Sequence, residues 1–159
     1  LTFRDASVED QSVVTSLLGR PALGRFAVVV RWSDGSPVVI ENEPHLRDGT
    51  PMPTLYWLVD TELREAVSRL ESRGVHRYED LVDANELRLA HAEYASRRQA
   101  ATLRPDLAQA EGGVGGTRVG VKCLHAHLAN YLVGWNDPVG SLVAGELEIR
   151  PYSVERVRG

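Results

Sequence analysis

Two spacings of apolar residues alternate along the chain, and each implies its own element. Ser7 followed by Val8-Glu9-Asp10 reads as a helix start, with acids placed where they complement the positive helix end. Val13, Val14, Leu17 and Leu18 continue it at helical spacing until Gly19-Arg20-Pro21. From Arg25 to Arg31 the chain turns β-branched, Ser33-Asp34-Gly35-Ser36 is a turn, and Pro37 to Glu41 is a second β run, so a hairpin is expected. Asn42 to Pro53, with three prolines and Asp48-Gly49, reads as an ordered loop, and Thr54 to Val59 as a third, buried strand.

The spacing then becomes helical. Asp60 is a fitting N-cap for a helix carrying Leu63, Val67 and Leu70, with Gly74 as its stop. A longer helix is expected from about Tyr78 to Leu103, with a break near Asp83-Ala84-Asn85, ending at Arg104-Pro105-Asp106. After the glycine-rich stretch Ala110 to Thr117, a helix is expected from about Val119 to Val133, and after the turn Trp135 to Gly140 a final strand from Ser141 to Arg150. Strands at both ends with helices between predict an α+β fold: a small antiparallel or mixed sheet packed against several helices. Residues 1–159 suit a single domain, since 43% hydrophobic content supports one core of ordinary size.

Charge narrows the partners. The formal net charge is −4 with acids and arginines interspersed, so no broad basic field exists for nucleic acid. Apolar runs such as Phe26 to Val30 are too short to cross a bilayer or to form a signal-peptide core, so no membrane association is expected and a cytoplasmic location is. A single cysteine forms no internal disulfide. The chain begins at Leu1 rather than Met, which leaves room for a longer native N-terminus.

The chemistry concentrates around one string. Lys122 is the only lysine and Cys123 the only cysteine, and they sit side by side in Lys122-Cys123-Leu124-His125-Ala126-His127. If this string is helical, Cys123, His127 and Asn130 share a sector beside the apolar sector of Leu124, Leu128, Tyr131 and Leu132, and His125 projects about 160° from His127. Cys123 and His127 could then share a zinc ion, completed by His91, His45 or an acid. They also admit a covalent reading, with Cys123 as nucleophile and His127 or His91 as base. A buried thiol beside a hydrogen-bonded core histidine explains them equally well.

A third reading is anion binding. Gly113, Gly115 and Gly116 before a helix allow backbone N–H groups to approach an anion, and Lys122 supplies a point charge. The order matches neither the P-loop nor the dinucleotide fingerprint, and loop flexibility accounts for the same glycines. His91, Tyr94 and Arg98 fall on one helix face with Leu87, at the margin of the core, where their polar ends could line a cleft. Asp48 and Thr50 stand with His45 as a candidate rim, although turn chemistry explains both as well.

The strings Asp48 to Leu58, Leu70-Glu71 with Gly74, His91 with Tyr94 and Arg98, Val121 to His127, and Asp137-Pro138-Val139-Gly140 together resemble a bacterial family known as domain of unknown function 501, common in actinobacteria. The likeness runs from about Arg25 to Gly140. It implies no particular reaction. It does imply association with cell division or polyphosphate metabolism, since members are often encoded near a septum-formation initiator and an exopolyphosphatase. Many members carry a cysteine where this chain has Trp32, and some a histidine where it has Asn130, which weakens a zinc site built on those positions.

The leading expectation is a cleft for a small anionic or phosphorylated ligand, lined by Lys122, His125, His127, His91, Tyr94 and Arg98. No cofactor is required by it, and hydrolase or transferase activity is left open. In a catalytic version His127 or His91 would transfer protons while Lys122 and Arg98 stabilise negative charge. The alternatives are a non-catalytic adaptor or regulator and a zinc-binding protein using Cys123 and His127.

Overall fold

The computed structural model describes residues 5–150 and 153–157. Helix α1 (Val8–Leu18) starts where Ser7 accepts a hydrogen bond from the Asp10 amide, and it stops at Gly19, whose φ of 75° suits a residue without a Cβ. Strands β1 (Phe26–Trp32) and β2 (Pro37–Asn42) form the expected hairpin. The third strand, β3 (Tyr56–Leu58), pairs with β2, and β4 (Val154–Arg156) pairs with β1. All pairings are antiparallel in the order β3-β2-β1-β4, so the fold is α+β with an antiparallel rather than mixed sheet.

The sheet separates two apolar layers. On one side Phe26, Val28, Ile40 and Val59 pack with Val14 of α1, and Asp10 clamps Arg31 of β1 in a 2.7 Å ion pair. Hydrogen bonding to the Arg31 guanidinium holds the Asp10 carboxyl below its ordinary pKa. On the other side Val30, Val39, Tyr56 and Leu58 meet the remaining helices. These are α2 (Thr61–Glu71), α3 (Ala84–Ala100), α4 (Leu124–Val133) and α5 (Pro138–Glu146), with short 3-10 turns at His76–Leu81 and Val114–Gly116. Asp60 caps α2 through the Leu63 amide and also accepts from the Trp32 indole, joining hairpin to helix. Helix α4 is central: it packs against β3, α2 and α5, with Leu124, Leu128 and Leu132 buried.

The break expected near Asp83-Ala84-Asn85 is present: Asp83 caps a new helix, α3, by accepting from the Asn85 and Glu86 amides, and the part before it is a 3-10 turn rather than α-helix. Two further expectations change. Helix α4 begins at Leu124 rather than near Val119; Cys123 is its N-cap in extended backbone, and Gly120 upstream has a φ of 68°. Ser141 to Arg150 is not a strand. Most of it lies in α5, started by Asp137 as N-cap and Pro138 in the first turn, and the strand at this end of the chain is β4. Among the described residues no helix is long and apolar enough to cross a membrane.

Helices α4 and α5 touch through a glycine. A Cβ at Gly140 would stand 2.5 Å from the Tyr131 Cβ and closer still to the His127 carbonyl oxygen. Gly140→Ala is therefore expected to destabilise the protein by about 1–3 kcal/mol, through forced separation of the helices. The midpoint of urea unfolding checks this; an unchanged midpoint would mean the contact yields freely.

Candidate functional site

Three polar side chains of α3, His91, Tyr94 and Arg98, lie on one face as their spacing predicts, and all three are at least 96% buried. Each is engaged by main chain from other segments. The Gly120 carbonyl, 2.8 Å from His91 Nε2, can only accept, and the Val114 amide, 3.0 Å from Nδ1, can only donate. His91 is therefore neutral and protonated on Nε2. Burial pushes its pKa below the ordinary imidazole value. The Tyr94 hydroxyl accepts from the Leu55 and Tyr56 amides at 2.6 and 3.3 Å, and burial raises its pKa to about 12. Arg98 donates to the carbonyls of Pro53, Ala110 and Gly112 at 3.0, 3.1 and 2.7 Å. Burial lowers its pKa.

Between α3 and the segment from Gln109 to Gly113 lies a cleft of about 520 Å³. His91, Ala95, Arg98 and Gln99 line it from the helix, Gly112 and Gly113 line it from the facing segment, and Arg88 and Arg118 border it. Gly112 and Gly113 serve close approach. A Cβ at Gly113 would stand 2.6 Å from the His91 Cβ, and one at Gly112, where φ is 87°, would stand 2.6 Å from the Gly116 carbonyl oxygen. Arg118 faces Glu111 at 3.7 Å with both side chains largely exposed.

Behind His91 runs a buried polar chain. The His127 ring centroid is 5.6 Å from that of His91, edge to face. His127 Nδ1 donates to the Asp137 carboxylate at 2.9 Å, which also accepts from the Asn130 side-chain amide at 3.0 Å and the Gly140 amide at 2.9 Å. Arg97 donates to Asn130 at 2.9 Å and lies 4.1 Å over the Trp135 ring, whose indole donates to the Tyr56 hydroxyl. His127 Nε2 is buried with no hydrogen-bond partner among the described residues.

The remaining candidates separate from this cleft. Lys122 is exposed and Gly115 and Gly116 sit in the 3-10 turn; none of the three lines the cleft. Asp48 and Thr50 form a local turn, the Asp48 carboxylate accepting from the Thr50 amide at 2.9 Å, and they too stand apart from it. His45, buried, reaches the Ala108 carbonyl at 2.8 Å, one residue before the facing segment, and does not line the cleft. Cys123 meets His125 and Glu71 rather than His127. Burial alone would lower the His125 pKa, but the Cys123 thiol, the Arg64 carbonyl and the Glu71 carboxylate together raise it. Arg88 was missed in the sequence although it stands one turn before His91 on the same helix. Arg118, from a distant irregular segment, carried no sequence signal.

The fold and cleft define an α+β protein with an arginine-bordered pocket built on one helix. A family model described as Protein of unknown function (DUF501) matches residues 28–145, most of the chain, and the protein belongs to that family. No curated protein and no solved structure matches it.

The buried neutral state of His91 sets a pH dependence. Its folded pKa lies below the unfolded one, so the unfolded chain takes up the proton first as pH falls. This contribution to stability is complete above the unfolded value of about 6.5 and is lost as pH drops toward the folded value. Unfolding midpoints between about pH 7.5 and pH 5 should fall less steeply in His91→Gln than in the wild type, even if that variant is less stable throughout. Parallel slopes would contradict the assignment.

Proposed function

We propose that the protein binds a small anionic ligand, of the phosphorylated class, in the cleft between α3 and residues 109–113. The observation that carries this reading is the convergence of Arg88, Arg98 and Arg118 on one pocket in which, among the described residues, Glu111 is the only acid, within a chain whose net charge is −4. Arg98 brings a buried positive charge hydrogen-bonded to neutral carbonyls, and such a charge acts across a short distance with little screening. The exposed Arg118–Glu111 pair is loose, so a phosphate can exchange with the carboxylate at small cost. Planar guanidinium groups hold phosphate oxygens in paired hydrogen bonds. The volume is in the range of ordinary ligand pockets.

The geometry favours capture over turnover. Both ring nitrogens of His91 are engaged with main chain, so the cleft offers no free imidazole base, and the free nitrogen of His127 is sealed behind it. Lys122 does not border the pocket and has no role in this reading. Trp135 is partly exposed, but Arg97 lies over its ring and its indole is bound to Tyr56, so by itself it does not make the flat apolar patch an adaptor would use.

Thermal unfolding with pyrophosphate, tripolyphosphate and ribose 5-phosphate, followed by calorimetry on the best of them, tests the proposal. Wild type and Lys122→Ala are expected to be stabilised alike, and the Arg88→Ala/Arg118→Ala double variant to bind about tenfold or more weaker, as expected for lost charge-assisted bonds. Added salt should weaken binding. Absence of stabilisation by all three anions, or equal affinity in the double variant, would overturn it.

A further inference from the structure

Away from the cleft, the end of α2 meets the start of α4 in a second cluster. Glu71 is the last residue of α2, Cys123 the N-cap of α4 and His125 its second residue. A carboxylate oxygen, the thiol sulfur and a ring nitrogen of these three all lie within 4.8 Å of one another. His125 Nδ1 is 2.5 Å from Glu71 Oε1. Its Nε2 is 3.0 Å from the Arg64 carbonyl, with the Ser68 hydroxyl at 3.2 Å. The other Glu71 oxygen accepts from the Leu124 amide at 3.4 Å, at the start of α4.

A carbonyl can only accept, so Nε2 carries a proton and donates it to Arg64. Nδ1 faces a carboxylate oxygen beside a thiol. With no ion bound, a proton on Nδ1 bridges it to Glu71; a metal ion that displaces this proton finds imidazole, carboxylate and sulfur already gathered around one point. A histidine whose far nitrogen donates to a backbone carbonyl is the arrangement that orients imidazole for a metal. The Leu124 amide fixes the carboxylate in the same way, holding one oxygen and presenting the other.

We propose that Glu71, Cys123 and His125 form a three-ligand site for a divalent metal, with zinc the best-matched ion. Thiolate with imidazole selects a borderline-soft ion, and one added carboxylate completes a donor set that zinc accepts. Tetrahedral zinc with ordinary bond lengths needs donor separations of roughly 3.3–3.6 Å. Glu71 and His125, 2.5 Å apart, must part by about 1 Å, and the sulfur, within 4.8 Å of both, must settle to the same separation. About a quarter of each of these two side chains is exposed, which gives the ion a path in. Three protein ligands leave the fourth tetrahedral position open to solvent or to an exogenous ligand. Cys123 is thus a ligand with His125, the histidine two residues on, and not with His127. The site shares no residue with the arginine-bordered cleft, so it stands or falls independently of it.

Cobalt(II) is the probe, because tetrahedral cobalt bound by thiolate gives a charge-transfer band and strong visible transitions, and zinc bleaches both. The whole chain, kept reduced, is titrated with cobalt and then with zinc, and circular dichroism confirms that each variant is folded. One equivalent of cobalt is expected to produce the bands and one of zinc to remove them. Cys123→Ser should abolish the charge-transfer band, and Glu71→Gln and His125→Gln should each weaken binding about tenfold or more. A chain that gives no thiolate–cobalt band overturns the proposal. So does a band that persists with unchanged affinity in His125→Gln.

Discussion

Irregular segments can be buried only if their peptide N–H and C=O groups find partners, because an unpaired buried group costs as much as a lost hydrogen bond. Here the partners come from one stripe of α3. His91 satisfies Val114 and Gly120, Tyr94 satisfies Leu55 and Tyr56, and Arg98 satisfies Pro53, Ala110 and Gly112. Three side chains on successive turns thereby fix the entry to β3, the first part of the glycine-rich stretch from Ala110 to Val114, and Gly120 beyond it. The cleft exists because α3 holds these segments at a set distance.

This arrangement decides the chemistry of the pocket. A histidine held by main chain on both nitrogens is a structural strut, whereas an arginine held by carbonyls keeps its charge, and Arg98 has no acidic partner in an ion pair among the described residues. That is the basis on which the cleft is proposed to capture an anion rather than to transfer protons. The buried chain behind it serves the same end from the other side: Asp137 caps α5, orients His127 and accepts from Asn130, so the wall against which His91 packs cannot shift without losing several hydrogen bonds at once.

Much of this was legible in the residues. The α1, α2 and hairpin signals are local, since Ser7, Asp60 and Ser33-Asp34-Gly35-Ser36 act on their immediate neighbours, and each element formed where its cap or turn placed it. The His91, Tyr94 and Arg98 face was readable from helical spacing, but what those groups bind was not, because their partners are backbone atoms of distant loops. Two local misreadings had larger effects. Treating Asp137-Pro138 as a turn concealed α5, although the pair is a helix start. Extending α4 back through Val119 put Cys123 on the same wheel as His127. At an extended N-cap the wheel does not apply, and the thiol instead joins His125 and Glu71.

The central claim, that the α3 stripe organises the facing segment, is tested most directly by amide hydrogen exchange in Arg98→Met. That substitution keeps much of the side-chain bulk and removes the three carbonyl contacts. Exchange is expected to accelerate at Gly113, Val114 and Gly116, whose amides are bonded within the segment or to His91, while β1 and β2 retain wild-type protection. Unchanged exchange at those three amides, or a uniform acceleration that includes the central strands, would contradict the account.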